Sequence, residues 1–455
     1  MTKMIVIGWA MCMVLAAGSV QAAENEQEQI AEKVFSLEET VQTGLERNPR
    51  IQGAEFGIKS SQSEVKSARG QFLPRASAGY SRTYLDSIRA SGPTDQDYID
   101  QTQETWRASV VQTLFAGKTI YNSYQIAKIE EEYSRVEKET EERELIREIQ
   151  EEFLQLLKIQ EDLRSLEDTV QRLEVSKEAA QAFVDRQMAP FVEVLQAEVE
   201  LEEARQEMYR MKNEKNIHKA RLNRLLDYEA QREIDYQGDL EDIDLDKVFD
   251  LQACLDAALE QRTELEFIEQ NIRIADREKE IALGQKMPRV ELEGSYVDRR
   301  RDYDQKGTDP MTGEPRDRDQ ENQYWTIGVN VEWEFFSGGQ QYYRRQSMDH
   351  EVHRLRSMYE DTASSVATEA RSAFLRLQEA RERVHASHKT LETAQEGYSM
   401  EEERFKRRVG TIQDLLDAQD RLTRADANYN QALLDYQLSM AELYYAMGER
   451  NYALN

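Results

Sequence analysis

At 455 residues with a formal net charge of −29, the chain is too acidic to favour nucleic acid or an anionic membrane face. Its mean hydropathy is −0.78, and beyond the N-terminal segment no apolar run approaches the roughly 18 residues of a spanning helix. Any membrane crossing must therefore use β-strands, because only helices and closed barrels satisfy the backbone in lipid.

The chain opens on a targeting segment. Lys3 is its only charge, an apolar run follows from Met4 to Val20, and Val20-Gln21-Ala22 offers small residues for cleavage, so 1–22 reads as a signal peptide. Cys12 lies inside the run behind Trp9-Ala10-Met11, a poor lipoprotein box. Cys254 is then the one cysteine of the mature chain and forms no intrachain disulfide; it reads as a small packed residue.

Self-comparison exposes a tandem repeat. An offset of 221 aligns 115–226 with 336–447 without a gap, matching Phe115/Phe336, Gly117/Gly338, Phe153/Phe374, Leu195/Leu416 and Leu222/Leu443. An offset of 214 aligns 37–82 with 251–296, matching Leu45/Leu259, Gly70/Gly284 and Pro74/Pro288. The second copy's extra residues fall between Pro288 and Phe336, in a polar loop. The repeats are 23–226 and 251–447, joined by 227–250 and followed by a short tail, 448–455.

Each repeat opens with a helix, 37–72 or 251–286. Pro49 is expected to break the first copy and restart it at a favourable first-turn position, whereas the second has Arg262-Thr263 there. Leu73-Pro74 and Met287-Pro288 end the helices and begin strands. The first hairpin spans 75–115, with strands over 75–85 and 105–115. The second spans 289–336, and its return strand carries the clearest signal. Trp325, Ile327, Val329, Val331, Trp333 and Phe335 alternate with Thr326, Gly328, Asn330, Glu332 and Glu334 in strict period two. The two tryptophans stand eight residues apart, about 27 Å along a strand. With tilt, that spans the apolar band of an outer-membrane barrel between aromatic girdles. Trp106, Trp325, Trp333 and Phe335 are the girdle candidates. Four strands cannot close a barrel, so a membrane reading requires oligomers. Loops 86–104 and 297–323 would face the exterior.

Gly-marked turns at Phe115-Ala116-Gly117 and Phe336-Ser337-Gly338-Gly339 lead into long helices, 117–187 and 340–408, each about 105 Å at 1.5 Å per residue. Turns at Met188-Ala189-Pro190 and Val409-Gly410-Thr411 start return helices 191–226 and 412–447. The second has a heptad seam of Leu415, Leu422, Tyr429, Tyr436 and Leu443 beside Ala418, Ala425, Ala432, Ser439 and Ala446. In the first copy Val194, Leu201 and Met208 stand with Ala197, Ala204 and Met211. The fold class is thus a mixed α and β membrane protein. A tandem helix–strand–strand–helix repeat supplies four strands of an oligomeric β-barrel and a long α-helical coiled-coil barrel.

In Leu45-x-x-Asn48-Pro49, Leu73-Pro74, Leu114-Phe115-x-Gly117, Phe335-Phe336-Ser337-Gly338-Gly339 and Val409-Gly410-Thr411 followed by Asp414-Leu415-Leu416-Asp417-Ala418, the chain resembles the TolC family of outer-membrane efflux proteins. The order, spacing and duplication of these motifs carry the resemblance, which covers about 37–447. It implies a homotrimer in the bacterial outer membrane, in contact with its lipid, with a 12-stranded barrel and a helical barrel crossing the periplasm. The tips, Met188, Ala189, Pro190, Val409, Gly410 and Thr411, would dock a periplasmic adaptor. The adaptor links the duct to an inner-membrane pump of RND, ABC or MFS type. The family's aspartate rings map to Asp414 and Asp417, whose i,i+3 spacing puts them on one helix face as a pore constriction. In a chain this acidic, the same pair also fits a plain solvated face. At the first tip Glu193 and Gln196 stand at the matching places, a weaker pair.

His350/His353 and His385/His388 have metal-like spacing but no partner ligands, and no P-loop, dinucleotide fingerprint or nucleophile–His–acid set is present. No cofactor, metal or enzymatic activity is expected. The function expected is a passive duct of an efflux or type I secretion system, its cargo not legible. A soluble periplasmic coiled-coil scaffold is the alternative, which leaves the Trp-flanked alternation unexplained. An adaptor, with one helical hairpin, does not fit a duplicated plan.

Overall fold

The computed structural model describes residues 34–90, 96–303, 307–308, 311, 315–316 and 319–451; the expected signal peptide lies outside them. The elements run β1 (Val34–Phe35), α1 (Leu37–Arg47), α2 (Pro49–Gly70), β2 (Arg75–Ala90), β3 (Gln96–Ala116), α3 (Thr119–Asp185), α4 (Val192–Leu225) and β4 (Asp235–Tyr236). They continue with α5 (Leu251–Gln261), α6 (Thr263–Gly284), β5 (Arg289–Tyr303), β6 (Gly307–Thr308), β7 (Pro315–Arg316), β8 (Gln320–Glu332), α7 (Gln340–Lys406) and α8 (Ile412–Met447). Contacts divide the chain into two units, one of 57–135 with 267–359, the other of the remaining described residues.

The first of these units carries an antiparallel sheet in the order β2-β3-β5-β8. Register runs from Arg75 opposite Val111 to Ala90 opposite Gln96, then Gln101 opposite Tyr303, then Arg301 opposite Gln320. The strands extend past the expected ends 85 and 105, because a paired ladder continues through polar residues that carry no alternation signal. The return strand expected over 325–335 instead stops at Glu332, opposite Arg289. The next residue of β5's chain is Pro288, which has no N–H to extend the ladder. Trp333 and Phe335 therefore lie beyond the strand. Between β5 and β8, a short pairing of β6 with β7 occupies part of the expected loop.

Gly117, at φ +59, and Gly284 meet backbone to backbone, and a Cβ added to either would overlap the other's main chain. Gly338 has the same φ, +60, yet neither it nor Gly70 has anything within 4 Å of an added Cβ. Ile272 and Ala275 of α6 pack on Val352 and Leu355 of α7.

The other unit is helical. Ser36 and Glu39 form a capping box that starts α1. The helix ends at Asn48, whose Nδ2 donates to the Leu225 carbonyl at 2.8 Å. The continuous helix expected over 251–286 also breaks, at Arg262 (φ −71, ψ 124), without a proline. Arg262 is buried and donates to the Ala446 carbonyl, Glu264 and Glu369. Leu225 and Ala446 are repeat equivalents, so both breaks are tied to the same place on a return helix.

Near the turns, Leu173, Leu201, Tyr398, Phe405, Leu415 and Leu422 form a core shared by α3, α4, α7 and α8. Of the α8 seam, Leu415, Leu422, Tyr436, Leu443, Ala418, Ala425, Ala432 and Ala446 are buried, while Tyr429 and Ser439 are half-buried. Leu433, Leu434, Met440 and Tyr444 are buried too, so α8 is covered on more sides than its heptad predicts. By contrast, α4 buries Val194, Ala197 and Leu201 near one end and Leu222 and Leu225 at the other, leaving Leu195, Val199, Tyr209 and Ile217 exposed.

Segment 227–250 is stitched to the helices. β4 pairs in parallel with β1, Tyr236 Oη donates to Asn223 Oδ1 at 2.7 Å, and Tyr436 Oη donates to the Asp244 carbonyl at 2.8 Å. From the tail, the Asn451 carbonyl accepts from Gln150 Nε2 at 2.7 Å. Cys254 is buried and unpaired, with its thiol pushed up by burial.

Candidate functional site

The two helical turns share one backbone plan despite different sequences. Gln187 (φ 56) and Arg408 (φ 59) both adopt the left-handed conformation. Met188 N donates to the Phe183 carbonyl at 2.8 Å, and Val409 N to the Arg404 carbonyl at 2.9 Å. These are repeat-equivalent positions, so Met188-Ala189-Pro190 makes the turn that Val409-Gly410-Thr411 makes. Met188 and Val409 both project apolar side chains, 57% and 71% exposed.

Arg408 ties the turns together. It donates to the Met188 carbonyl, lies 3.9 Å over the Phe183 ring and stands 3.6 Å from Glu193. Phe183 in turn packs edge-on to Phe405 at 5.6 Å. A cation seated on an aromatic face beside a carboxylate is a strong local clamp. Arg408 stands outside every motif legible in the sequence. Its only signal is a basic residue directly before the Val-Gly-Thr turn, in a chain rich in such residues.

Asp414 and Asp417 are both exposed but do different things. Asp414 completes a capping box, accepting from Thr411 N at 3.1 Å and Thr411 Oγ1 at 2.8 Å. These Thr411 bonds hold its carboxyl below the usual range. Asp417 accepts from Gln413 Nε2 at 2.7 Å. Across from it, Glu200 of α4 has its carboxyl pushed up, first by desolvation and then by Glu203, Asp420 and Asp417. The carboxylates crowded at this end therefore come from both return helices. Glu200 and Asp420 were not legible, because i,i+3 acidic pairs recur throughout this chain.

On the sheet, Tyr80 stacks against Trp106 with centroids 4.7 Å apart, and Tyr296 against Trp325 at 4.8 Å. Both are directly opposed cross-strand pairs. Below Trp325, the row Ile327, Val329 and Val331 is 61–82% exposed. Beyond the strand, Trp333 Nε1 donates to the Lys286 carbonyl at 3.0 Å and its ring meets Phe335 at 6.2 Å. Aromatic residues thus bound an exposed apolar face at both ends, although only the Tyr–Trp pairs stand on strands. The opposite face is polar, with Ser77 bonded to Ser109 at 2.9 Å and Ser295 to Thr326 at 2.7 Å. Among the described residues no helix is long and apolar enough to cross a membrane, and no group of three His, Cys, Asp or Glu could hold a metal.

The family described as "Outer membrane efflux protein" matches residues 40–227 and 254–449. No curated protein sequence matches the chain significantly. Among solved structures, the outer-membrane channel OprN is similar at 16% identity and a TM-score of 0.73, over 92% of this chain and 90% of that one. The outer membrane protein VceC from Vibrio cholerae is 15% identical, with a TM-score of 0.71 over 91% and 96%. The open state of the MtrE outer membrane channel from Neisseria gonorrhoeae is 17% identical, with a TM-score of 0.66 over 92% and 89%.

Proposed function

Because the chain belongs to the outer membrane efflux protein family, we propose that three copies close one duct, with a twelve-stranded barrel made from the four strands of each. The protein is an outer-membrane efflux channel, its strands in the outer membrane and its helical part in the periplasm. The observation that supports closure by several copies is the open sheet; the number three follows the family. β2 and β8 are unpaired edges, and the copies of the repeat already join through β3 and β5 inside the chain. Repeating that junction between chains leaves no edge in lipid. The exposed Trp325–Val331 row meets acyl chains, a role that a soluble scaffold does not provide.

In this reading residues 1–22 are removed on export, 23–226 and 251–447 are the two repeats, 448–455 is a short tail whose last four residues lie outside the described ones, and 227–250 with 448–451 girdle the helices. Met188, Ala189, Pro190, Val409, Gly410 and Thr411 dock a periplasmic adaptor coupled to an RND, ABC or MFS pump. Their exposed Met188 and Val409 give apolar anchors. Asp414 and Asp417 line the narrowest part of the periplasmic mouth, with Glu200 and Asp420 widening the acidic ring. The chain itself supplies no energy and no catalysis.

Purified protein in planar bilayers tests this. The wild type should run as heat-modifiable trimers and show a small, cation-selective closed conductance. Replacing Asp414 and Asp417 with Ala should raise that conductance and reduce cation selectivity. An unchanged conductance and selectivity would remove these residues from the constriction, and a fully soluble monomer would remove the duct itself.

A further inference from the structure

The polar face of the sheet is not uniformly polar. Its lower half carries Glu291, Glu293 and Glu332 beside Arg75 and Arg289. Its outer half runs from the level of Ser77, Ser109, Ser295 and Thr326 to that of Leu85, Gln101 and Tyr303. Between those levels the register places Arg107, Arg299 and Arg301 among uncharged residues, with Gln320 opposite Arg301. No residue of this zone is acidic, and three are arginines.

The three are neighbours. Arg107 is opposite Val297 and Arg299 is opposite Thr105, which makes the two arginines diagonal partners. Arg301 is two residues further along the same face of β5. Diagonal and i,i+2 positions are about 7 Å apart, so three like charges share one patch. Among the described residues, Arg301 Nε reaches only the amide oxygen of Gln103, at 2.9 Å. Arg299 Nε is buried and has no hydrogen-bond partner among the described residues. The opposite face treats its arginines differently at the same height. Arg82 faces Glu104 at 3.6 Å, and Arg300 faces Glu321 at 3.3 Å. Neutralised arginines on the lipid-side face and unneutralised ones on the other describe a surface built to receive negative charge from the aqueous side.

Resting on the duct reading above, we propose that Arg107, Arg299 and Arg301 form an oxyanion-binding collar inside the barrel near its outer mouth, repeated in each copy. Its ligands are solutes bearing phosphate or carboxylate groups on their way out. Guanidinium groups accept both in forked hydrogen bonds, and clustering makes affinity rise with ligand charge.

The test adds inorganic tripolyphosphate to the outer side of full-length trimers in planar bilayers at low salt. Wild type should show a concentration-dependent block that weakens as salt rises. The same addition to the periplasmic side should be at least tenfold less effective. The variant Arg107→Gln/Arg299→Gln/Arg301→Gln should lose at least tenfold in blocking affinity, whereas Arg82→Gln keeps the wild-type value. If the triple variant does not assemble, Arg301→Gln and Arg107→Gln singly should each show a smaller loss. Citrate in place of tripolyphosphate separates carboxylate from phosphate recognition. Normal conductance without outer-side block, or block unchanged by the Arg→Gln variants, overturns the collar. Absence of any wild-type conductance would instead overturn the duct.

Discussion

Arg262 and Asn48 are different residues serving one task. Each ends a helix and binds the carbonyl at the close of a return helix, Ala446 for Arg262 and Leu225 for Asn48. The Asn-Pro break could be read from the sequence because proline acts locally. The Arg262 break could not, since it depends on Glu264, Glu369 and a carbonyl far along the chain. Replacing Arg262 with Ala leaves two half-exposed carboxylates beside a buried gap and should destabilise the helical unit by about 2 kcal/mol. Chemical denaturation of the detergent-solubilised trimer would measure it; a shift within error would mean the break forms without the tie. Asp414 shows a similar division between pattern and geometry. Its position fits the expected constriction, yet its carboxylate is also spent on capping α8. A carboxyl held below its usual 3.8 contributes fully above that pH and is lost only as pH falls through the lower, folded-state value. Acidification to pH 5 should therefore leave the first turn of α8 protected from hydrogen exchange. Thr411→Ala should expose it at neutral pH, at a cost of about 1 kcal/mol. Fraying already at pH 5 would contradict the cap.

Among the elements, the helices were the most legible and the strand ends the least. Thr119–Asp185, Gln340–Lys406 and Ile412–Met447 lie within two residues of their expected ends, because charged, proline-free periodicity over such lengths admits little else. The outer strand segments were invisible, since Gln, Thr and Arg continue a ladder without alternating in hydropathy. The same blindness hid the arginine patch: Arg299 and Arg301 fell in an expected loop, and Arg107 joins them only through the β3–β5 register. Helix–strand junctions rest on another feature that spacing did not reveal. In the repeat alignment Gly117 matches Gly338 and Gly284 matches Gly70, and nothing in the spacing pairs Gly117 with Gly284. Gly284→Ala puts a methyl into the Gly117 backbone and should sharply lower the yield of heat-resistant trimer in outer-membrane fractions. Wild-type yield would show that this junction can open without harm.

For the whole molecule, the unmatched glycines matter as much as the matched pair. If the junction between repeats recurs between chains, Gly338 of one copy meets Gly70 of the next, as Gly117 meets Gly284 within the chain. The same relation carries the Ser109–Ser295 register to Asn330 of β8 and Ser81 of a neighbouring β2. Chains bearing Ser81→Cys and Asn330→Cys should therefore form covalent trimers under mild oxidation, and either change alone should not. Cys254 is buried and should not interfere. Monomers only, after oxidation of an assembled sample, would refute this register. The open glycines and the bare edges of β2 and β8 also bear on how the protein is made. Each newly exported chain offers unsatisfied backbone to any other strand it meets, and only its own siblings fit. Between leaving the inner membrane and finding two copies, the chain is at its most vulnerable to proteases and misassembly. Its maturation should thus depend steeply on how fast it is synthesised, and on helpers that keep strands apart until three chains are present.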